Sequence, residues 1–83
     1  MRLLIVEDDV ALRQSLAARL READFTVDEA GTASEAEYFA AEFAVQIAIV
    51  DLGLPDRSGV ELVKRLRAAG HSFPVVILTA REH

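Results

Sequence analysis

Polar residues able to do chemistry stand directly after three apolar runs in this chain. Glu7-Asp8-Asp9 follows Leu3-Leu4-Ile5-Val6, Asp51 follows Ile47-Ala48-Ile49-Val50, and Thr79 follows Val75-Val76-Ile77-Leu78. If the runs are strands of one parallel sheet, their ends deliver these residues to a single edge, where open α/β sheets bind ligands. Carboxylates gathered there repel one another, and without a counter-charge some would take up protons. A hard cation relieves that repulsion, and Mg2+ is usually held by one or two carboxylates, waters and phosphate oxygens. Cysteine is absent and no histidine lies beside the acids, so the donor set is oxygen only and disfavours zinc. Asp51 has a second capacity, because an aspartyl carboxylate can attack a phosphoryl group. A bound cation would offset the charge that develops, and Thr79 could offer its hydroxyl to the phosphoryl oxygens. Taken singly, Asp9 reads as a helix N-cap and Thr79 as a cap or loop hydroxyl. Asp51 differs, since a hydrophobic strand presents it at its tip and Glu7 and Asp8 converge on it.

The elements that must position these residues follow from two alternating periods. The short apolar runs suit strands buried on both faces, expected over about 2–6, 45–50 and 74–79. A shorter, more polar strand at about 25–30, where Phe25, Val27 and Glu29 alternate with Thr26, Asp28 and Ala30, suits a sheet edge. Leu12, Leu16 and Leu20 predict the buried stripe of a helix over about 10–22. Thr32 with Glu35 and Ser58 with Glu61 have capping-box spacing and open helices over about 33–43 and 58–69. The second helix would bury Ala36, Phe39, Ala40 and Phe43, and the third Leu62, Val63, Leu66 and Ala69. Gly70 stands where a helix end tolerates a left-handed residue. Strand and helix alternation means a parallel sheet with helices on both faces. Right-handed crossovers then favour the flavodoxin-like strand order 2-1-3-4, which sets Asp8 and Asp51 astride the point where strand order reverses.

Composition narrows the function classes. Eighty-three residues make one small domain, 52% of them hydrophobic, with a net charge of −5. That charge argues against a nucleic-acid surface, and Lys64, Arg65 and Arg67 crowd a helix end, where cations meet the dipole favourably. The apolar start breaks after four residues, too short for a signal peptide or a membrane span, so the cytoplasm is the expected compartment.

These segments resemble response-regulator receiver domains of two-component systems. Leu4-Ile5-Val6-Glu7-Asp8-Asp9 is similar to their acid-pair start, Val50-Asp51-Leu52-Gly53-Leu54-Pro55-Asp56-Arg57-Ser58-Gly59 to their phosphorylation loop, and Val75-Val76-Ile77-Leu78-Thr79-Ala80 to their fourth strand. The Asp-Leu-Gly-Leu-Pro form most resembles the subfamily whose regulators carry a winged-helix DNA-binding domain. The resemblance implies that Asp51 accepts a phosphoryl group from a sensor histidine kinase. It implies Glu7 and Asp8 as the acid pair, Asp51 and the Gly53 carbonyl as further Mg2+ ligands, and Thr79 as the switch hydroxyl. A phosphohydrolase of the haloacid-dehalogenase type is disfavoured, because Gly53 stands where its second aspartate would be.

Receivers of this type continue past Ala80 with a helix, a strand preceded by a phosphoryl-pairing lysine, and a final helix. The expectation is an incomplete receiver, with Lys64 no substitute for that lysine and phosphotransfer correspondingly impaired. An apolar fourth-strand edge and an uncovered first-helix face around Leu12 and Leu16 would then favour a homodimer or higher self-association. The alternative function is a fragment that self-associates with little phosphotransfer. Gln46, where the family often has an aspartate, is a lesser departure.

Overall fold

Leu3, Leu4, Ile5 and Val6 are all buried, because their strand runs between two parallel neighbours and is covered on both faces. The structure, a computed structural model, describes residues 1–78. Its elements are β1 (Arg2–Val6), α1 (Val10–Glu22), β2 (Thr26–Ala30), α2 (Ala33–Glu42), β3 (Ile47–Asp51), α3 (Gly59–Ala68) and β4 (Val75–Leu78). Among the described residues these strands pair in parallel and in the order β2-β1-β3-β4. Thr79 lies outside the described residues.

Side chains alternate across a strand, so the sheet feeds two cores. Leu4, Val6, Ala48 and Val50 point to the face covered by α2 and α3, against Ala36, Ala40, Leu62 and Leu66. Leu3, Ile5 and Val27 point to the face covered by α1, against Ala17, Leu16 and Leu20. The result is three layers, helix, sheet and helix.

The buried stripe of α1 is rotated from the leucine series. Leu16, Ala17 and Leu20 pack on the sheet, whereas Leu12 is 39% exposed. Arg13 completes the inward series, three residues before Leu16 and four before Ala17. Its guanidinium donates to the Glu7 carbonyl at 2.9 Å and to Glu29 Oε1 at 3.2 Å. A polar contact at the strand ends thus sets the helix rotation that a leucine count misplaces.

Three other expected stripe positions also lie outside the core, among them Val63, which is only partly buried on α3. Phe43 follows α2 and is exposed, its ring under the Arg2 guanidinium, 4.2 Å from the centroid. Ala69 is the exposed C-cap of α3, because the helix stops at Ala68. β3 starts at Ile47, later than about 45, and takes in Asp51 as its last residue. Gln46 instead clamps the start of β1, its amide donating to the Arg2 carbonyl at 2.8 Å and its side-chain oxygen accepting from the Arg2 amide at 2.9 Å.

Side-chain caps open all three helices. Asp9 accepts from the Leu12 amide, Thr32 from Glu35 and Ser58 from Glu61, each at 3.1 Å. Two helices close with the same motif, in which the chain turns left-handed and two amides return to the last turn. In α1 the turning residue is Asp24 (φ 73°), with Phe25 donating to Leu20. In α3 it is Gly70 (φ 93°), with His71 donating to Leu66.

Candidate functional site

β1 and β3 are neighbours in register, Val6 opposite Val50. One residue further on stand two acids, Glu7 just past β1 and Asp51 as the last residue of β3. Carboxylate oxygens of Glu7, Asp8 and Asp51 all lie within 4.8 Å of one another. Glu7 and Asp51 are 1% and 2% exposed, and Asp8 faces solvent. The cluster is therefore a buried acid pair open to water on one side through a third carboxylate.

Hydrogen bonds hold Glu7 at both ends. Its amide donates to the Ala30 carbonyl at 2.9 Å, and its Oε2 accepts from the Asp9 amide at 3.0 Å. Burial pushes the Glu7 carboxyl above its ordinary range, the Asp9 amide pulls it back, and the charges of Asp51 and Asp8 push it up further. Among the described residues no cysteine or histidine joins the group. Three converging oxygen donors, two of them desolvated and repelling each other, fit a hard divalent cation.

The segment after Asp51 folds back on itself. Gly53 pairs with Ser58, and the Gly59 amide donates to the Leu52 carbonyl at 2.8 Å. A Cβ on Gly59 would overlap the Asp51 carbonyl oxygen, so only glycine allows this closure. Leu54 is buried and fastens the loop to the α2/α3 core. Two neighbouring side chains tie the loop to α2. Asp56 accepts from the amides of Ala33 at 2.8 Å and Ser34 at 3.0 Å, and Arg57 pairs with Glu37 at 2.7 Å.

The fold thus brings Glu7, Asp8 and Asp51 together and sets Gly53 in a closed loop two residues beyond Asp51. Asp9 caps α1, and Lys64 is an exposed residue of α3. Sequence reasoning missed Arg13, Asp56 and Arg57. Arg13 had a signal, its place in the i, i+3, i+4, i+7 series with Leu16, Ala17 and Leu20. Asp56 and Arg57 had none, since their partners lie 20 or more residues away.

The response regulator receiver domain profile matches residues 3–83. The transcriptional regulatory protein PhoP of Escherichia coli K12 is 48% identical over 82 residues, which are 99% of this chain and 37% of that protein. The virulence transcriptional regulatory protein PhoP of Salmonella typhimurium LT2 is 49% identical with the same coverage. The chain therefore spans little more than a third of the length of these relatives. The non-phosphorylated HemR receiver domain of Leptospira biflexa superposes with a TM-score of 0.88 at 35% identity, covering 99% of this chain and 66% of that one. The response regulator TrrA of Thermotoga maritima, solved in complex with Mg(2+)-BeF, gives 0.89 at 28% identity, covering 99% and 71%. With the receiver-domain profile matching nearly its whole length, the chain belongs to the response regulator receiver domain family.

Proposed function

We propose that Asp51 accepts a phosphoryl group from the phosphohistidine of a sensor histidine kinase, at a Mg2+ site formed by Glu7, Asp8, Asp51 and the Gly53 carbonyl. The observation that carries this is the convergence of three carboxylates within 4.8 Å, with Asp51 at the tip of a central strand. The similar TrrA receiver, solved with Mg(2+)-BeF, supports the same ligand chemistry.

Mg2+, when bound, neutralises the acids and offsets charge on the phosphoryl oxygens. The rest is done by the chain. Glu7 is kept in place by the Asp9 amide and Asp51 by the closed loop that follows it. An Asp51 carboxylate oxygen attacks phosphorus as the phosphorus–nitrogen bond to the donor histidine breaks, and the released imidazole takes up a proton. Thr79 is the proposed switch hydroxyl.

Among the described residues no helix is long and apolar enough to cross a membrane. A cytoplasmic role facing a kinase's phosphorylated domain is the proposed setting. The relatives named as transcriptional regulatory proteins support control of transcription by a longer protein, through a winged-helix effector. Incubation with Mg2+ and acetyl phosphate tests the site, with one added phosphoryl group expected at Asp51 by mass spectrometry. No addition to the wild-type chain, or addition that survives Asp51→Ala, overturns the proposal.

A second reading concerns assembly. Val76 and Ile77 on the outer strand β4 are exposed, as are Val10 and Leu12 on α1. Apolar strand edges are templates for pairing with another chain, so this 83-residue chain is proposed to self-associate. Size-exclusion chromatography with light scattering tests it, and a monomer at micromolar concentration refutes it.

A further inference from the structure

Two adjacent residues of opposite charge, Asp56 and Arg57, fasten the loop after Asp51 to a helix that contributes nothing to the acidic cluster. Asp56 Oδ1 accepts from the Ala33 amide at 2.8 Å, and its Oδ2 accepts from the Ser34 amide at 3.0 Å and the Ser34 hydroxyl at 3.1 Å. The first amides of a helix have no partner within it. Thr32 takes the Glu35 amide of α2, and Asp56 takes the two before it. Its carboxyl is held at about 2 by these donors, so the contact is charge-assisted throughout the neutral range.

Arg57 donates to Glu37 Oε2 at 2.7 Å, one turn further along α2. Glu37 also receives Arg65 of α3 at 2.8 and 3.2 Å, which fixes its carboxylate from a third element. The loop is thus gripped on α2 at two levels. Between this grip and Asp51 lie only Leu52, Gly53, the buried Leu54 and Pro55, a stretch with little freedom once its far end is fixed.

We propose that Asp56 and Arg57 are positioning residues that brace this loop against α2, setting the direction of the Gly53 carbonyl and hence the Mg2+ affinity of the Asp51 site. The inference rests on the metal site proposed above. Groups that orient metal ligands from outside typically change affinity by ~10–100-fold when lost. Coupling of this kind is reciprocal, so Mg2+ should in turn slow amide exchange at Ala33 and Ser34.

The test is Mg2+ titration of the full chain, followed by the dispersed amide chemical shifts of the folded molecules, which stand apart from those of unfolded chain. Wild type, Asp56→Ala, Asp56→Asn and Arg57→Met are compared. Asp56→Ala should weaken Mg2+ binding about tenfold, Arg57→Met severalfold, and Asp56→Asn, which keeps one acceptor oxygen, should recover part of the loss. If Asp56→Ala does not fold, Arg57→Met decides. Variants that lose thermal stability but bind Mg2+ within twofold of wild type would show that the contacts only cap and pin α2, overturning the brace while leaving the metal site intact. A wild-type chain that does not bind Mg2+ removes both.

Discussion

Gly59 sits against Leu52 so closely that a Cβ on it would lie 2.9 Å from the Leu52 Cα, and its amide donates to the Leu52 carbonyl at 2.8 Å. The obstructing atoms are backbone and cannot swing aside. Gly59→Ala should therefore cost ~1–3 kcal/mol, the usual range for overpacking, and slow phosphorylation at Asp51 as the strand tip shifts. Gly53→Ala is the control, since nothing lies within 4 Å of a Cβ there. Urea denaturation should separate the two variants, and equal stabilities would refute the account.

Glu7 should be a site where binding and stability oppose each other. Its carboxyl is raised by burial, with the charges of Asp51 and Asp8 adding to the shift. A raised folded-state pKa means that Glu7 favours the fold when protonated and that this stability is lost as pH rises through the folded value. Above that value, and without Mg2+, the ionised side chain is a liability. Glu7→Gln should then raise metal-free stability by ~0.5–2 kcal/mol, as removal of functional-site strain commonly does. The same change should abolish the stabilisation expected of wild type on adding Mg2+, which parallel thermal melts with and without the ion would read.

Asp56 should leave its mark on the acid limb. Its carboxyl is depressed to about 2 from an ordinary 3.8, first by the Ala33 amide and then by Ser34. A depressed value means stability that is present above the unfolded pKa and lost as pH falls through the folded one. The stability gap between wild type and Asp56→Asn should hold steady down to about pH 5 and close between about pH 4 and pH 2. A gap that persists at about pH 2 would count against it.

The paired helix ends give a matched experiment. Asp24 and Gly70 occupy the same left-handed position after α1 and α3, at φ 73° and 93°. A side chain there is disfavoured by ~1 kcal/mol or somewhat more. Asp24→Gly should stabilise the fold by ~0.5–1 kcal/mol and Gly70→Ala should destabilise it by about 1 kcal/mol. Chemical denaturation reads both, and the signs should be opposite.

The sheet order and the acidic cluster were legible in the sequence because both depend on local signals. A strand covered on both faces must be apolar throughout, and a polar residue at its end has one edge to go to. With β1 and β3 set side by side by right-handed crossovers, Glu7 and Asp8 could be brought to Asp51. Helix rotation was less legible. The spacing of Leu12, Leu16 and Leu20 is helical, yet Arg13 turns α1 toward the strand ends and leaves Leu12 outside. Phe43 was misplaced for a related reason, because a cation from Arg2 serves its ring at the surface. The grip of Asp56 and Arg57 on α2 was invisible, since nothing in either segment alone anticipates the other.

The pairing of Val6 with Val50 has one more consequence. A slip of one residue between β1 and β3 would displace Asp51 by roughly 3.3 Å along β1 and send it to the opposite face of the sheet. The three carboxylates could then no longer share an ion. A ligand that needed all three acids would bind the correctly aligned sheet and not a slipped one, and so would favour this register.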